Sequence, residues 1–284
     1  MKKATFSILQ ILGVSTILFL FVGTIQAQNN NTSNFQYRGV AEIGFTSVLA
    51  HQIQLGNSGT NFNYVKEGGQ DVLFPTFRFS LEMDINKKNT FIILYQPLKI
   101  ETQAVLQNNN RFNGVLFPAN SSIKALYNFP FYRFSYLREL ASNQEKFKFA
   151  LGLTVQIRNA TIAFESNDGT LYTDNRGVGI VPALKLRTKY NFTPTFYTEV
   201  EADGIYAPVS YLNGSNNEIV GAILDASLRF GAEMNDFSNI FLNFRYLGGG
   251  ATGTDTGDDV WPGDGYVKNW LHFFNVSAGF IIKI

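Results

Sequence analysis

From Asn34 onward, apolar and polar positions alternate with a period of two. Tyr37, Gly39, Ala41, Ile43 and Phe45 alternate with Arg38, Val40, Glu42, Gly44 and Thr46. Phe77, Phe79, Leu81, Met83 and Ile85 alternate with Arg78, Ser80, Glu82 and Asp84. Phe147 to Ile157 repeats the pattern against Lys148 to Arg158. One face of each segment is apolar and aromatic, and the other is small, polar or charged, which is the signature of a strand.

Ten such segments are centred near residues 43, 79, 96, 130, 155, 183, 202, 225, 243 and 275. Many exceed ten residues, longer than the usual soluble strand of about five or six. They suit a tilted crossing of a hydrocarbon layer, which takes about 9–11 residues. Breaks of parity near Pro130 and near Arg158-Asn159 read as bulges or kinks. Short turns fall at 87–89, 141–145, 192–194 and 234–238, and longer Gly-, Asn- and Asp-rich connections at 47–71, 102–120, 166–175, 206–218 and 248–265. The two kinds alternate, as periplasmic turns and outer loops do in outer-membrane barrels.

Alternation alone fits a periplasmic or secreted β-sandwich equally well. Three features favour a barrel: charges on the polar face of nearly every strand, alternating loop lengths, and a last strand that runs to the terminus. In that strand Phe274, Val276, Ala278, Phe280, Ile282 and Ile284 share one face, with Phe280, Ile282 and Ile284 as the candidate signal for the outer-membrane assembly machinery. An open sheet edge is not viable in hydrocarbon, so the wall must close. The expectation is an all-β protein: a closed antiparallel up-and-down transmembrane β-barrel over 35–284, of about ten strands, with eight to twelve compatible.

The N-terminus reads as an export signal. Met1-Lys2-Lys3 is basic, Phe6 to Val22 is largely apolar, and Ile25-Gln26-Ala27 offers a cleavage site. Residues 1–27 are therefore expected to be removed, leaving 28–34 as a polar linker. An uncleaved anchor helix is the other reading, opposed by the polar run from Gln28 to Asn31 and the lack of a basic cluster after it.

Composition narrows the function. Charge is nearly balanced, with 23 basic and 22 acidic residues, which leaves no electrostatic footprint for nucleic acid. The absence of cysteine excludes disulfides, thiolate metal sites, a Cys nucleophile and N-terminal lipidation. No phosphate-cradling or dinucleotide motif follows a strand and opens a helix. No cofactor and no metal are expected. The partners expected from the wall are outer-membrane lipids and lipopolysaccharide.

The clearest constellation lies on the segments near 183 and 202. A hairpin turning at Thr193 would set Arg187 opposite Glu199 and Lys185 opposite Glu201, with Asp203 extending the row. Arg38, Glu42, Arg78, Glu82, Arg133, Lys148, Arg158, Asp225, Arg229 and Arg245 share the same polar face. Such residues either fill a small lumen with paired charges or select a solute. Two carboxylates that each face a base are better explained as salt bridges than as an acid–base pair. His51 falls in the first outer connection. His272 falls on the lipid side of the last strand, with no His-x-Ser pattern beside it. Asp255, Asp258, Asp259 and Asp264 lie among glycines without EF-hand spacing, so a solvated loop is the simpler reading. Gly152, Gly177 and Gly179 read as small residues making space.

Several segments taken in order carry a resemblance. Tyr95-Gln96-Pro97-Leu98, Phe112-Asn113-Gly114 with Phe117, and Tyr132-Arg133-Phe134-Ser135-Tyr136 come first. Gln156 to Ala160, Gly179-Ile180-Val181-Pro182, Glu201-Ala202-Asp203-Gly204 and Gly248-Gly249-Gly250 follow. The series resembles an uncharacterised family of Gram-negative outer-membrane barrel proteins. It departs from that family in a longer segment after Ala207-Pro208 and in ending on Ile284 where an aromatic is usual. The resemblance implies fold and location and brings no activity. The leading expectation is a non-enzymatic barrel with a narrow or closed charged lumen, in a structural or surface-interaction role. A small-solute channel and a lipid-modifying enzyme using His272 are the alternatives.

Overall fold

The structure, a computed structural model, describes residues 34–143, 146–208, 218–254 and 265–284. The expected leader, almost all of the linker, and the acidic loop at 255–264 lie outside the described residues. The strands are β1 (Phe35–Leu55), β2 (Phe62–Asn63), β3 (Leu73–Ile85), β4 (Asn89–Gln96) and β5 (Lys99–Val105). There follow β6 (Asn110–Phe112), β7 (Val115–Phe117), β8 (Ser122–Asn128), β9 (Phe131–Asn143) and β10 (Phe147–Ser166). The last are β11 (Tyr172–Asn191), β12 (Phe196–Pro208), β13 (Glu218–Asn235), β14 (Ser238–Thr254) and β15 (Tyr266–Lys283).

Ten of these close the wall. β1, β3, β4 and β9 to β15 each pair antiparallel with the next, and β15 returns to β1 over Arg38↔Lys283 to Leu55↔Val267. The expected ten-stranded antiparallel barrel is the fold. The three-residue turn between β3 and β4, in which Lys88 N–H donates to Ile85 O at 3.2 Å, places Asn86 and Lys87 at φ 53° and 58°, the left-handed central pair of a type I′ turn.

Several strands are twice as long as a membrane crossing needs, and the polarity of their faces inverts partway along. On β10, Leu151, Leu153 and Val155 face outward and are exposed, while Thr154 and Gln156 are buried inside. Higher on the same strand the inside carries Ala160, Ile162 and Phe164, all buried, and Asn159 is exposed outside. β1 does the same with the help of a bulge between Val48 and Ala50. Below it Ile43, Phe45 and Leu49 are exposed; above it His51, Ile53 and Leu55 are fully buried, with Gln52 exposed. The lower wall is thus suited to hydrocarbon outside and the upper wall to water outside.

This corrects two expectations. No register shift interrupts the β10–β11 pairing at Arg158-Asn159, from Phe147↔Tyr190 to Glu165↔Tyr172. The apparent break of parity there is the inversion of polarity on an unbroken strand. The long connections are also shorter than expected, because β1, β10, β12 and β14 run on to Leu55, Ser166, Pro208 and Thr254. The break near Pro130 is real. β9 continues β8 after Phe129-Pro130, and β5 continues β4 after Pro97-Leu98, so two prolines without N–H groups interrupt neighbouring strands at one level.

Inward glycines near the short-turn end make room for rings. A Cβ on Gly231 would lie 2.2 Å from the Tyr197 ring, and one on Gly279 would lie 2.3 Å from Phe241. Each pair is in direct register across neighbouring strands. We expect Gly231→Ala to push the Tyr197 ring off its seat and cost about 1–3 kcal/mol, the usual range for overpacking. Urea unfolding of the refolded protein in lipid vesicles would show it.

Candidate functional site

The lower lumen is filled by ion pairs that reach across it. Arg78 on β3 donates to Glu42 on β1 (2.9 Å) and to Glu201 on β12 (3.3 Å). β3 and β12 stand five strands apart in either direction round the wall, so this bridge spans the full diameter. Arg187 joins Glu82 (2.8 Å) to Glu201 (2.6 Å), and Lys185 joins Glu201 to Asp203, both at 2.8 Å. Arg229 joins Glu42 (2.9 Å) to Glu199 (2.8 Å), and Arg38 binds Glu82 at 2.7 Å and Asp84 at 3.2 Å. Arg133 and Arg245 both close on Asp225, and Arg133 also lies 3.5 Å from Asp203.

Seven cations thus meet seven carboxylates, and most of these groups are buried. Uncharged groups complete the shell. Asn243 Nδ2 and Ser277 Oγ donate to Glu42 at 2.7 and 3.0 Å, and Arg133 Nε donates to Gln156 at 2.6 Å. Between Glu42, Thr76, Arg78, Arg245, Asn275 and Ser277 a cavity of about 10 Å³ remains, the size of one water.

The pairing on β11 and β12 differs from the expectation by two residues. Lys185 lies opposite Asp203, Arg187 opposite Glu201 and Lys189 opposite Glu199. The turn includes Thr195, since Phe192 N bonds Phe196 O at 2.9 Å. An even slip keeps every side chain on its face, so alternation could not reveal it. Lys148, expected in the lining, sits half-exposed at the short-turn rim, 4.0 Å from Glu139. Asp84, Gln96, Thr154, Asn243 and Ser277 belong to the lumen although the charge pattern did not single them out. Their parity with Glu82, Gln156, Arg245 and Asn275 was the available signal.

Above the ions an apolar plug packs into the mouth. Residues between β1 and β3 bring Phe62 and Tyr64 inward, and the β6–β7 hairpin brings Phe112 and Phe117; all four are fully buried. Phe112 stacks on Phe164 of β10 with ring centroids 3.7 Å apart. His51 is not in a loop: it projects inward from β1, stacked on Tyr64 at 4.4 Å. Its Nδ1 lies 2.8 Å from Gln70 and its Nε2 3.1 Å from Asn269, which ties the plug segment to the wall. His272 faces outward, as expected, 2.5 Å from the hydroxyl of Tyr246 on β14. Among the described residues no group of three His, Asp or Glu side chains is placed to hold a metal.

A closed antiparallel wall with an apolar belt outside and paired charges inside defines a β-barrel of the outer-membrane class. No family model matches the chain, and no curated protein does. Among solved structures it is similar to the outer membrane protease OmpT from Escherichia coli, at 10% identity over 90% of this chain and 99% of that one, with a TM-score of 0.49. It is also similar to Neisserial surface protein A, at 11% over 90% and 100%, with a TM-score of 0.28. The toluene transporter TodX from P. putida matches at 9% over 89% and 91%, with a TM-score of 0.32. Identities this low leave the activities of those proteins with those proteins.

Asp225→Asn would leave Arg133 and Arg245 without their shared counter-charge. Removing one partner of a buried ion pair costs about 3–5 kcal/mol. We expect a loss of that size in urea unfolding from vesicles, against little change for Lys148→Gln at the rim.

Proposed function

We propose that this chain is an integral protein of the bacterial outer membrane that works with its lumen shut, in a structural or surface-interaction role and not as an enzyme. The short-turn end is periplasmic in this reading, and the plugged end faces outward. The observation that carries it is the Arg78–Glu201 bridge across the full diameter, set in a neutral ion cluster with a gap of about 10 Å³ beside Arg78. A hydrated ion has no path through such a cluster. The apolar plug above narrows the outer half of the lumen with different residues. Phe280 and Ile282 face outward on β15 and, like Ile284 just beyond it, are exposed, which supports their role as the assembly signal and as lipid contacts.

Planar-bilayer recording of the refolded protein tests this. The expected result is no steady conductance. Conductance whose ion selectivity shifts in Glu201→Gln/Asp203→Asn would overturn the closed reading in favour of a channel. Replacing residues 57–70 with a short Gly-Ser turn removes Phe62 and Tyr64 but leaves the ion cluster. That variant should also stay silent, and conductance in it would overturn the reading that the ion cluster closes the lumen.

A further inference from the structure

Arg158 on β10 is the exception in a lumen of paired charges. Among the described residues it has no ion pair and no hydrogen bond, and its Nε is buried without a partner. The titratable group acting on it is the Tyr127 phenol, not a carboxylate. Its neighbours on β11 are bare backbone: a Cβ on Gly177 would lie 3.6 Å from its Nη2, and one on Gly179 3.8 Å from its Nε. The two glycines thus seat the guanidinium against bare backbone, in space that a larger side chain at either position would take.

This space is reached from the plugged end. Along the inner face of β11, Asn175, Gly177, Gly179 and Val181 are half-exposed, whereas Ala183 and Lys185 are buried. Solvent descends to the level of Arg158 and stops above the ion cluster. The seven paired cations and seven carboxylates below cancel, so among the described residues Arg158 stands as an uncompensated positive charge beside the apolar plug. An Nε cut off from water without a partner is costly, and the planar fork matches the two oxygens of a carboxylate or phosphate.

We propose that Arg158, with Gly177 and Gly179 as its wall, forms a binding site for a small oxyanion, a carboxylate or a phosphate, entering from the outer end. The seal beneath makes this a site of capture and not of passage. The test is calorimetric titration of the refolded full chain in zwitterionic micelles with inorganic phosphate and, separately, with acetate. Wild type should take up one or both saturably at one per chain; phosphate alone or acetate alone would identify which oxyanion chemistry the site takes. Arg158→Gln should weaken binding by about tenfold or more, as loss of a charge-assisted pair does, and Lys148→Gln should leave it unchanged. Gly179→Leu fills the space from the other strand with Arg158 intact, and should weaken binding as well. It decides the matter if Arg158→Gln does not refold, as judged by heat-dependent gel mobility. No saturable uptake of either ion by wild type would overturn the proposal, as would binding that survives in the refolded variants.

Discussion

A barrel wall that leaves hydrocarbon for water must exchange the polarity of its two faces at the boundary, and the rest of this structure follows from that exchange. Within the layer, Leu153 and Val155 face lipid, so the inside is left to Thr154 and Gln156. Above it Asn159 and Gln52 face water, so the inside must be apolar to hold the sheet together. One continuous strand therefore builds two interiors, an ionic one below and a hydrophobic one above. The plug is the core of the upper half, supplied by connections long enough to fold inward.

The ionic interior does more than occupy volume. Buried ion pairs add little net stability once desolvation is counted, but a missing partner is severely unfavourable. That asymmetry makes them good at excluding wrong registers. A slip of two residues between β11 and β12 preserves every face and so offends no hydrophobic contact. It would, however, move Arg187 off Glu201 and Lys185 off Asp203. The charges thus select among registers that alternation leaves degenerate, and the bridges from β3 to β12 fix the opposite walls against each other.

That degeneracy also explains what the sequence could and could not reveal. Period-two alternation, loop spacing and the terminal strand were enough for the closed ten-stranded barrel, because each is local. The Arg187 and Lys185 partners were misplaced by two residues because nothing local distinguishes a turn that includes Thr195 from one that does not. Arg158-Asn159 read as a kink because an inversion of polarity and a bulge produce the same local pattern. The His51 environment was hidden for a different reason. Its burial depends on Tyr64, Gln70, Tyr127 and Asn269 meeting across some 200 residues of chain, and no short-range pattern records such a meeting.

The inversion also accounts for the position of Arg158. It is the last polar inward residue of β10 before Ala160 begins the apolar half, so it stands where the two interiors meet. Below this level every cation of the cluster has a carboxylate within salt-bridge distance, on a neighbouring strand or across the lumen. Above it the inner wall is Ile162 and Phe164, which offer none. Among the described residues a cation on this boundary is left to be compensated from the solvent side, and the glycines of β11 seat it there against bare backbone. The same plane that separates the two interiors thus leaves one charge facing outward from a sealed floor. Such an arrangement is what the proposed capture of an oxyanion rests on.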